Sequence, residues 1–311
     1  MHGVLHQVAK PRAIVVDLFK CLIHVEFVEQ RLYRYVEESG VEAMRSLWSL
    51  DSFQKLVSSV RRQVTRDARQ HPEWNVAPIA TGDRDTIIRS LNATLKWYMN
   101  RGYEPYSHFD LKRAIYSHGY RTLKLRTVVY SDAVRCLRSW RQQGISLTVY
   151  STQDALFQRQ LLSHTTAGDL TPLFHHILDP ASLDQKEEGM SATTVANIAS
   201  KIAVPASDLV YLASTPAAVE AARQATATAF LVVSHPVIQF EGLDPRKVQA
   251  VDRIRIFDDL RWLPSGSKSS DSESTGSSAR DDKSSQATVA ASSAAATAIV
   301  SRKTSAVKPA A

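Results

Sequence analysis

The stretch Ala13-Ile14-Val15-Val16-Asp17 constrains the fold more than any other part of the chain. Four apolar residues, three of them β-branched from Ile14 on, run without a break into one carboxylate. Such a run has no face to give to solvent, which predicts a strand buried on both sides in a parallel sheet. In open α/β sheets ligands bind outside the carboxyl ends of the strands, so Asp17 stands where chemistry is usually done. The alternative is an Asp that only begins a loop. Partners elsewhere in the chain decide between the two.

After this strand, Phe27, Val28, Leu32, Tyr35 and Val36 recur at helical spacing and predict a helix over 25–38. Residues 41–122 read as helical throughout, broken into separate helices by Pro72, Pro78 and Gly82. The strand–helix pattern then returns. After Val128-Val129-Tyr130, strands are expected at 145–150, 174–178, 208–212 and 228–233, with a short edge element at 254–257. Helices are expected at 132–141, 153–162, 191–202 and 217–225, the first ended by Gly144. Alternation of this kind predicts an α/β fold, a Rossmann-like doubly wound parallel sheet with an inserted all-helical cap. The expected division is a core over 12–24 and 123–263 and a cap over 25–122. From Ser265 onward Ser, Ala, Thr and Lys dominate and apolar periodicity is lost, so 264–311 is expected to be a disordered tail.

The chain has 311 residues, enough for a substantial core, and 44% of them are hydrophobic. Its two cysteines, Cys21 and Cys136, form no CxxC pair and no disulfide framework, which fits a reduced compartment. The first residues carry no apolar leader, and no stretch reaches the ~18 consecutive apolar residues of a membrane span. The formal net charge of +7 concentrates at Arg61-Arg62, Arg66, Arg69, Lys112-Arg113 and 121–126. This basic cap surface, or the tail, could hold an acidic protein partner. No zinc-finger spacing, RNP-like motif or helix-turn-helix signal accompanies it, so nucleic acid is not an expected partner.

Asp17, Ser151 and Lys186 fall at strand ends or in the adjoining loops of one sheet, where right-handed crossovers bring them to one edge. A carboxylate nucleophile, a hydroxyl donor and an ammonium suit phosphoryl transfer. His175-His176 lie side by side in a predicted strand and so face opposite ways, a poor clamp for one ion. Cys21 is open to two readings, a redox-sensitive thiol beside Lys20 or a small packed residue.

The chain resembles the haloacid dehalogenase superfamily and, within it, the enolase-phosphatases of methionine salvage, over roughly residues 12–263. The resemblance rests on Asp17 with the Phe27-Val28 helix, on 129–134, on Trp140-Arg141-Gln142-Gln143-Gly144, and above all on Val149-Tyr150-Ser151-Thr152. Gln158, Leu162, His164-Thr165-Thr166 and Gly168-Asp169-Leu170 follow that last block, where the family reads YSSGS, a helix and then GHSTxGDL. The resemblance implies a Mg²⁺-dependent enzyme that enolises and dephosphorylates 2,3-diketo-5-methylthiopentyl phosphate to an acireductone. It also implies roles. Asp17 matches the nucleophile and first metal ligand, Ser151 and Thr152 the phosphate-binding pair, and Lys186 the phosphate-neutralising lysine if one residue is inserted before it. A cytoplasmic location, with the nucleus also compatible, goes with the family.

The departures fall on the metal site. Where the family reads DIEGTTT, this chain reads Asp17-Leu18-Phe19-Lys20-Cys21-Leu22-Ile23. Phe19 replaces an acid that serves the metal and proton transfer, and Lys20 replaces a Gly suited to a tight turn and to close phosphate approach. In the context FLTD, Ser214 replaces the acidic ligand, and a nearby Glu becomes Ala218. Asp17 is then the only motif carboxylate, while Mg²⁺ wants an octahedral shell of hard oxygens. Rewiring would use Lys20 as a charge in the metal's place or turn Asp154 inward. The GxxW-type cap region that frames the substrate reads Arg113-Ala114-Ile115-Tyr116. The expectation is an enolase-phosphatase-like, monomeric protein with impaired or absent phosphatase activity that binds a phosphorylated small molecule. The alternatives are an active Mg²⁺-dependent enolase-phosphatase and a non-catalytic interaction protein.

Overall fold

A computed structural model of the chain describes residues 5–185, 190–234 and 245–263. Lys186 and the tail expected over 264–311 therefore lie outside the described residues.

Strand β2 (Ala13–Asp17) is flanked by β3 (Ser146–Tyr150) and, beyond it, β4 (His176–Leu178) on one side. On its other side come β5 (Leu209–Ala213), β6 (Thr228–Val232) and β7 (Arg253–Ile254). The six strands form one parallel sheet in the order β4-β3-β2-β5-β6-β7. The predicted double winding is present. Alternation along β2 sends Ile14 and Val16 into one apolar layer and Ala13 and Val15 into the other. Helices α5 (Ser131–Gln142) and α6 (Ala155–Ser163) cover the first layer with Val134, Leu137, Phe157 and Leu161. Helices α7 (Ala192–Lys201) and α8 (Pro216–Gln224) cover the second with Val195, Ile198, Val219 and Ala222. The side chains of Ser191 and Thr215 cap α7 and α8. A short helix, α9 (Pro245–Gln249), precedes β7.

Between β2 and α5 the chain is helical. A π-helical turn (Phe27–Leu32) leads into α1 (Tyr33–Leu47), followed by α2 (Asp51–Gln70), α3 (Arg84–Arg101) and α4 (Tyr106–Arg121). Helix α2 shows why: Phe53, Val57, Val60 and Val64 repeat every three or four residues and are its buried stripe. Asp67 continues that stripe, is 1% exposed, and accepts from the Tyr98 hydroxyl at 2.6 Å and Gln63 Nε2 at 2.8 Å.

Two sequence expectations are corrected, at 38 and at 174. The helix expected to end at 38 continues through Gly40 to Leu47, because the glycine serves close packing. A Cβ there would meet Asn92 Oδ1 at 2.6 Å. Residues 128–130 do not join the sheet. They clasp the loop after Asp17 instead, His24 N donating to Val128 O at 2.9 Å and Tyr130 N to Leu22 O at 3.1 Å, with an isolated bridge between Ile23 and Val129. The strand expected at 174–178 begins only at His176, because Phe174 N closes a 3₁₀ turn on Thr171 O. A pair absent from the sequence reading joins β1 (His6–Val8) to β8 (Leu260–Trp262) in parallel. Among the described residues no helix is long and apolar enough to cross a membrane.

Candidate active site

The chain leaves β2 to one side to form β3 and β4 and returns on the other to form β5, so Asp17 sits at the topological switch point of the sheet. The backbone beyond it folds back at once. Leu18 N donates to Tyr150 O at 3.1 Å, Ile23 N to Leu18 O at 2.9 Å and Lys20 N to Ile23 O at 3.1 Å. Lys20 makes this turn at φ +68°, the left-handed region that a glycine would occupy without strain. Phe19 is half-buried and packs against the core. Cys21 is fully buried and its Sγ lies 3.6 Å from Leu212 O, which accepts from it. Burial, and then the Asp17 charge, push its thiol well above the ordinary range, so it is a packed neutral thiol rather than a reactive one.

Both carboxylate oxygens of Asp17 are taken. The Tyr211 hydroxyl donates to Oδ1 at 2.7 Å, while Ser214 donates to Oδ2 twice, from its backbone N–H and from its hydroxyl, each at 2.7 Å. Tyr211 comes from β5, where it is the register partner of Val15, so its ring rises along the same face toward Asp17. Some of the Asp17 surface remains accessible, yet protein surrounds the carboxylate densely. This desolvation raises its pKa above the usual value, against the opposing hydrogen bonds from Ser214 and Tyr211. The Tyr211 hydroxyl is pushed far up by burial and by its place beside that carboxylate, so it stays a donor.

Ser151 follows Tyr150, the register partner of Asp17, and the structure therefore brings Asp17 and Ser151 to neighbouring strand ends. Ser151 is 8% exposed; its N–H donates to Leu178 O at 3.3 Å and its Oγ accepts from Gln153 N at 3.2 Å. The fully buried Gln158 holds the loop from below, its Nε2 donating to Gln153 O at 2.7 Å and Leu178 O at 2.8 Å. Thr152 is exposed on that loop. Asp179, at the end of β4, accepts from Ala155 N at 2.8 Å, from Ser182 N at 2.7 Å and from the Ser182 hydroxyl. Lys186 falls outside the described residues.

Asp154 does not turn inward. It caps α6, accepting from Phe157 N at 3.0 Å, and pairs with Arg113 of α4. Ser117 Oγ of α4 donates to Gln160 Oε1 of α6 at 2.9 Å, and Phe109 and Tyr116 lie against Phe157. The 113–116 stretch is thus spent on contact between α4 and α6. Its neighbour Lys112 adds nothing to an exposed basic surface, because it is 6% exposed, paired with Glu104 and set over the Tyr33 ring.

Among known proteins, no family model matches the chain. The protein named enolase-phosphatase E1 of Methylococcus capsulatus is 29% identical to it over 223 residues, covering 71% of this chain and 88% of that protein. The protein of that name from Pectobacterium atrosepticum is 28% identical over 69% of this chain and 84% of its own length. The one from Pseudomonas aeruginosa is 35% identical over 47% and 63%. Over most of its described length the chain is thus similar to proteins named enolase-phosphatase E1. The crystal structure of the UTR4 protein of Saccharomyces cerevisiae shares the fold, with a TM-score of 0.59 and 16% identity over 79% of this chain and 98% of that one.

Against the enolase-phosphatase motif FLTD, Tyr211 adds a hydroxyl where the phenylalanine stands, and Ser214 removes the acid. Both changes converge on Asp17. The lost acid is legible in the sequence and the gained hydroxyl is not. A tyrosine inside an apolar strand signals only burial, and the register with Val15 is what aims it. The magnesium ion that the family implies does not fit the residues present. Both Asp17 oxygens already accept hydrogen bonds, Phe19 offers no donor, and the Ser214 hydroxyl is turned to Asp17. Among the described residues no group of three or more His, Cys, Asp or Glu side chains is placed to hold a metal.

Proposed function

We propose that this protein is an enolase-phosphatase-like protein whose phosphatase activity is impaired or absent, and that it retains part of a phosphate-binding site. The observation that carries this reading is the closed clamp of Tyr211 and Ser214 on Asp17. A carboxylate that attacks phosphorus needs a cation to balance the transferring phosphoryl group, and hydrogen bonds to its oxygens lower its nucleophilicity. Here both oxygens are hydrogen-bonded and the positions that would supply further metal ligands carry a phenyl ring and a hydroxyl. Loss of one electrostatic donor in an active site typically costs ~10²–10³ in rate, and loss of a metal with two acids costs more.

In this reading Ser151, Thr152 and Lys186 are the phosphate-binding residues and Asp17 keeps only the nucleophile's position. The helices of 25–122 act as the cap over a core of 12–24 and 123–263. The ligand is a phosphorylated small molecule, the protein works as a monomer, and its compartment is the cytoplasm or the nucleus. The test is turnover of 2,3-diketo-5-methylthiopentyl phosphate with Mg²⁺ and with EDTA, on the wild type and on Asp17→Asn. The expected result is the same background rate in all four. Turnover that needs both Mg²⁺ and Asp17 makes the protein an active enolase-phosphatase and overturns the proposal.

A further inference from the structure

We propose that the Tyr150 hydroxyl is a ligand-binding donor of this site, and that with Ser151 it takes the oxygens of a phosphoryl group without a metal ion. The proposal deepens the retained phosphate site proposed above and rests on it. Tyr150 is the register partner of Asp17, so their side chains share one face of the sheet, with Tyr211 entering the same face from the opposite neighbouring strand. The charges of both Asp17 and Asp179 reach its phenol and, after burial, push its pKa up to about 12, which keeps the proton on the oxygen. Tyr150 is 2% exposed, and its hydroxyl has no hydrogen-bond partner among the described residues.

A buried hydroxyl without a partner is costly and uncommon, because it has given up water for nothing. The carboxylates nearby accept from other donors and not from the Tyr150 hydroxyl. Asp17 receives from Tyr211 and Ser214, and Asp179 receives from Ala155 and Ser182. Ser151 Oγ accepts from Gln153 N, which leaves its O–H to donate. What the strand end offers to a newcomer is therefore two O–H donors, from Tyr150 and Ser151, a pattern that matches an oxyanion. The ligand class is a phosphomonoester.

The experiment measures inorganic phosphate binding by titration calorimetry in EDTA, together with the ligand-free melting midpoint, for the wild type and for Tyr150→Phe. A ligand-facing hydroxyl gives opposite signs in the two measurements. Phosphate affinity falls roughly 10- to 100-fold, the loss of one hydrogen bond to a charged group. The ligand-free midpoint rises by about 2 °C or more, because an unsatisfied buried group has been removed. Unchanged phosphate affinity in Tyr150→Phe overturns this proposal alone. A lowered ligand-free midpoint also overturns it, since the hydroxyl then has a structural partner. A wild type that binds no phosphate overturns both this proposal and the retained phosphate site.

Discussion

Restoring one acid to the metal position should destabilise the protein unless a divalent ion is present, and the structure gives the size of the effect. In Ser214→Asp a second carboxylate replaces a hydroxyl that now sits 2.7 Å from Asp17 Oδ2. Two like charges about 4 Å apart repel by about 4 kcal/mol at an effective dielectric of 20. The pair can escape by taking up one proton, which costs 1.36 kcal/mol for each pH unit above the ordinary carboxylate value near 4. That route caps the penalty at about 1.5 kcal/mol at pH 5 and at about 4–5 kcal/mol at pH 7.5. The sign follows from proton binding. The folded variant holds a proton that the unfolded chain releases, so its stability relative to wild type falls as pH rises.

Urea unfolding of wild type and Ser214→Asp at both pH values, in EDTA and in excess Mg²⁺, measures this directly. The variant should lose about 4 kcal/mol at pH 7.5 in EDTA and much less at pH 5. An ion bound between the two acids then restores up to about 2.7 kcal/mol at a hundred times its dissociation constant. The wild type should not respond. Equal stabilisation of the wild type by Mg²⁺ would falsify the donor-set argument, and a variant as stable as wild type at pH 7.5 in EDTA would refute the geometry of the clamp.

Lys20→Gly should stabilise the fold by about 0.5–1 kcal/mol in urea, because relief of the strain at φ +68° exceeds the entropy that glycine adds to the unfolded chain; a destabilised variant contradicts this. His108 is 1% exposed, lies against the Tyr98 ring at 4.0 Å, and is held down to a pKa of about 4 by burial and by Lys112. Its folded pKa lies below the unfolded value near 6.5, so it contributes about 3 kcal/mol that is present at neutral pH and lost as pH falls from 6.5 to 4. His108→Phe should flatten that part of the stability–pH curve, and an unaltered acid limb rules the assignment out. Arg113→Ala breaks a partly exposed ion pair and should cost no more than about 1 kcal/mol, whereas Asp154→Ala also uncaps α6 and should cost about 1 kcal/mol more. Equal losses in the two variants would show that the cap contributes nothing.

Asp17 and Ser151 were legible because strand ends announce themselves, an apolar run stopping at a polar residue. The sheet was legible for the same reason, each strand being short, β-branched and separated from the next by an amphipathic helix. What the sequence hid depends on contacts between distant segments. Val128-Val129-Tyr130 has the composition of a strand, but its backbone groups are spent on residues 22–24. Lys112-Arg113 looks like an exposed basic pair, yet Lys112 is paired with Glu104 and Arg113 with Asp154. Tyr211 is the most consequential of these. Its hydroxyl acts 194 positions away in the chain, at Asp17.

That contact changes what the presence of Asp17 means. In a metal site several acids tolerate one another only because a cation lies between them, so once the ion is gone every acid but one becomes a liability. With Phe19 and Ser214 beside it Asp17 meets no such repulsion, and Tyr211 with Ser214 supplies the hydrogen bonds that a lone desolvated carboxylate requires. Asp17 is thereby a structural acceptor, needed by its donors whether or not it attacks phosphorus. Asp17→Asn keeps one acceptor and turns an N–H toward a donor, so it should lose about 1–3 kcal/mol of stability on its own account. A fall in any residual activity of Asp17→Asn therefore counts as chemistry only when measured at a temperature where the variant is as fully folded as the wild type. If Asp17→Asn unfolds at the same urea concentration as the wild type, the clamp is not structural, and Asp17 is free to serve as the nucleophile after all.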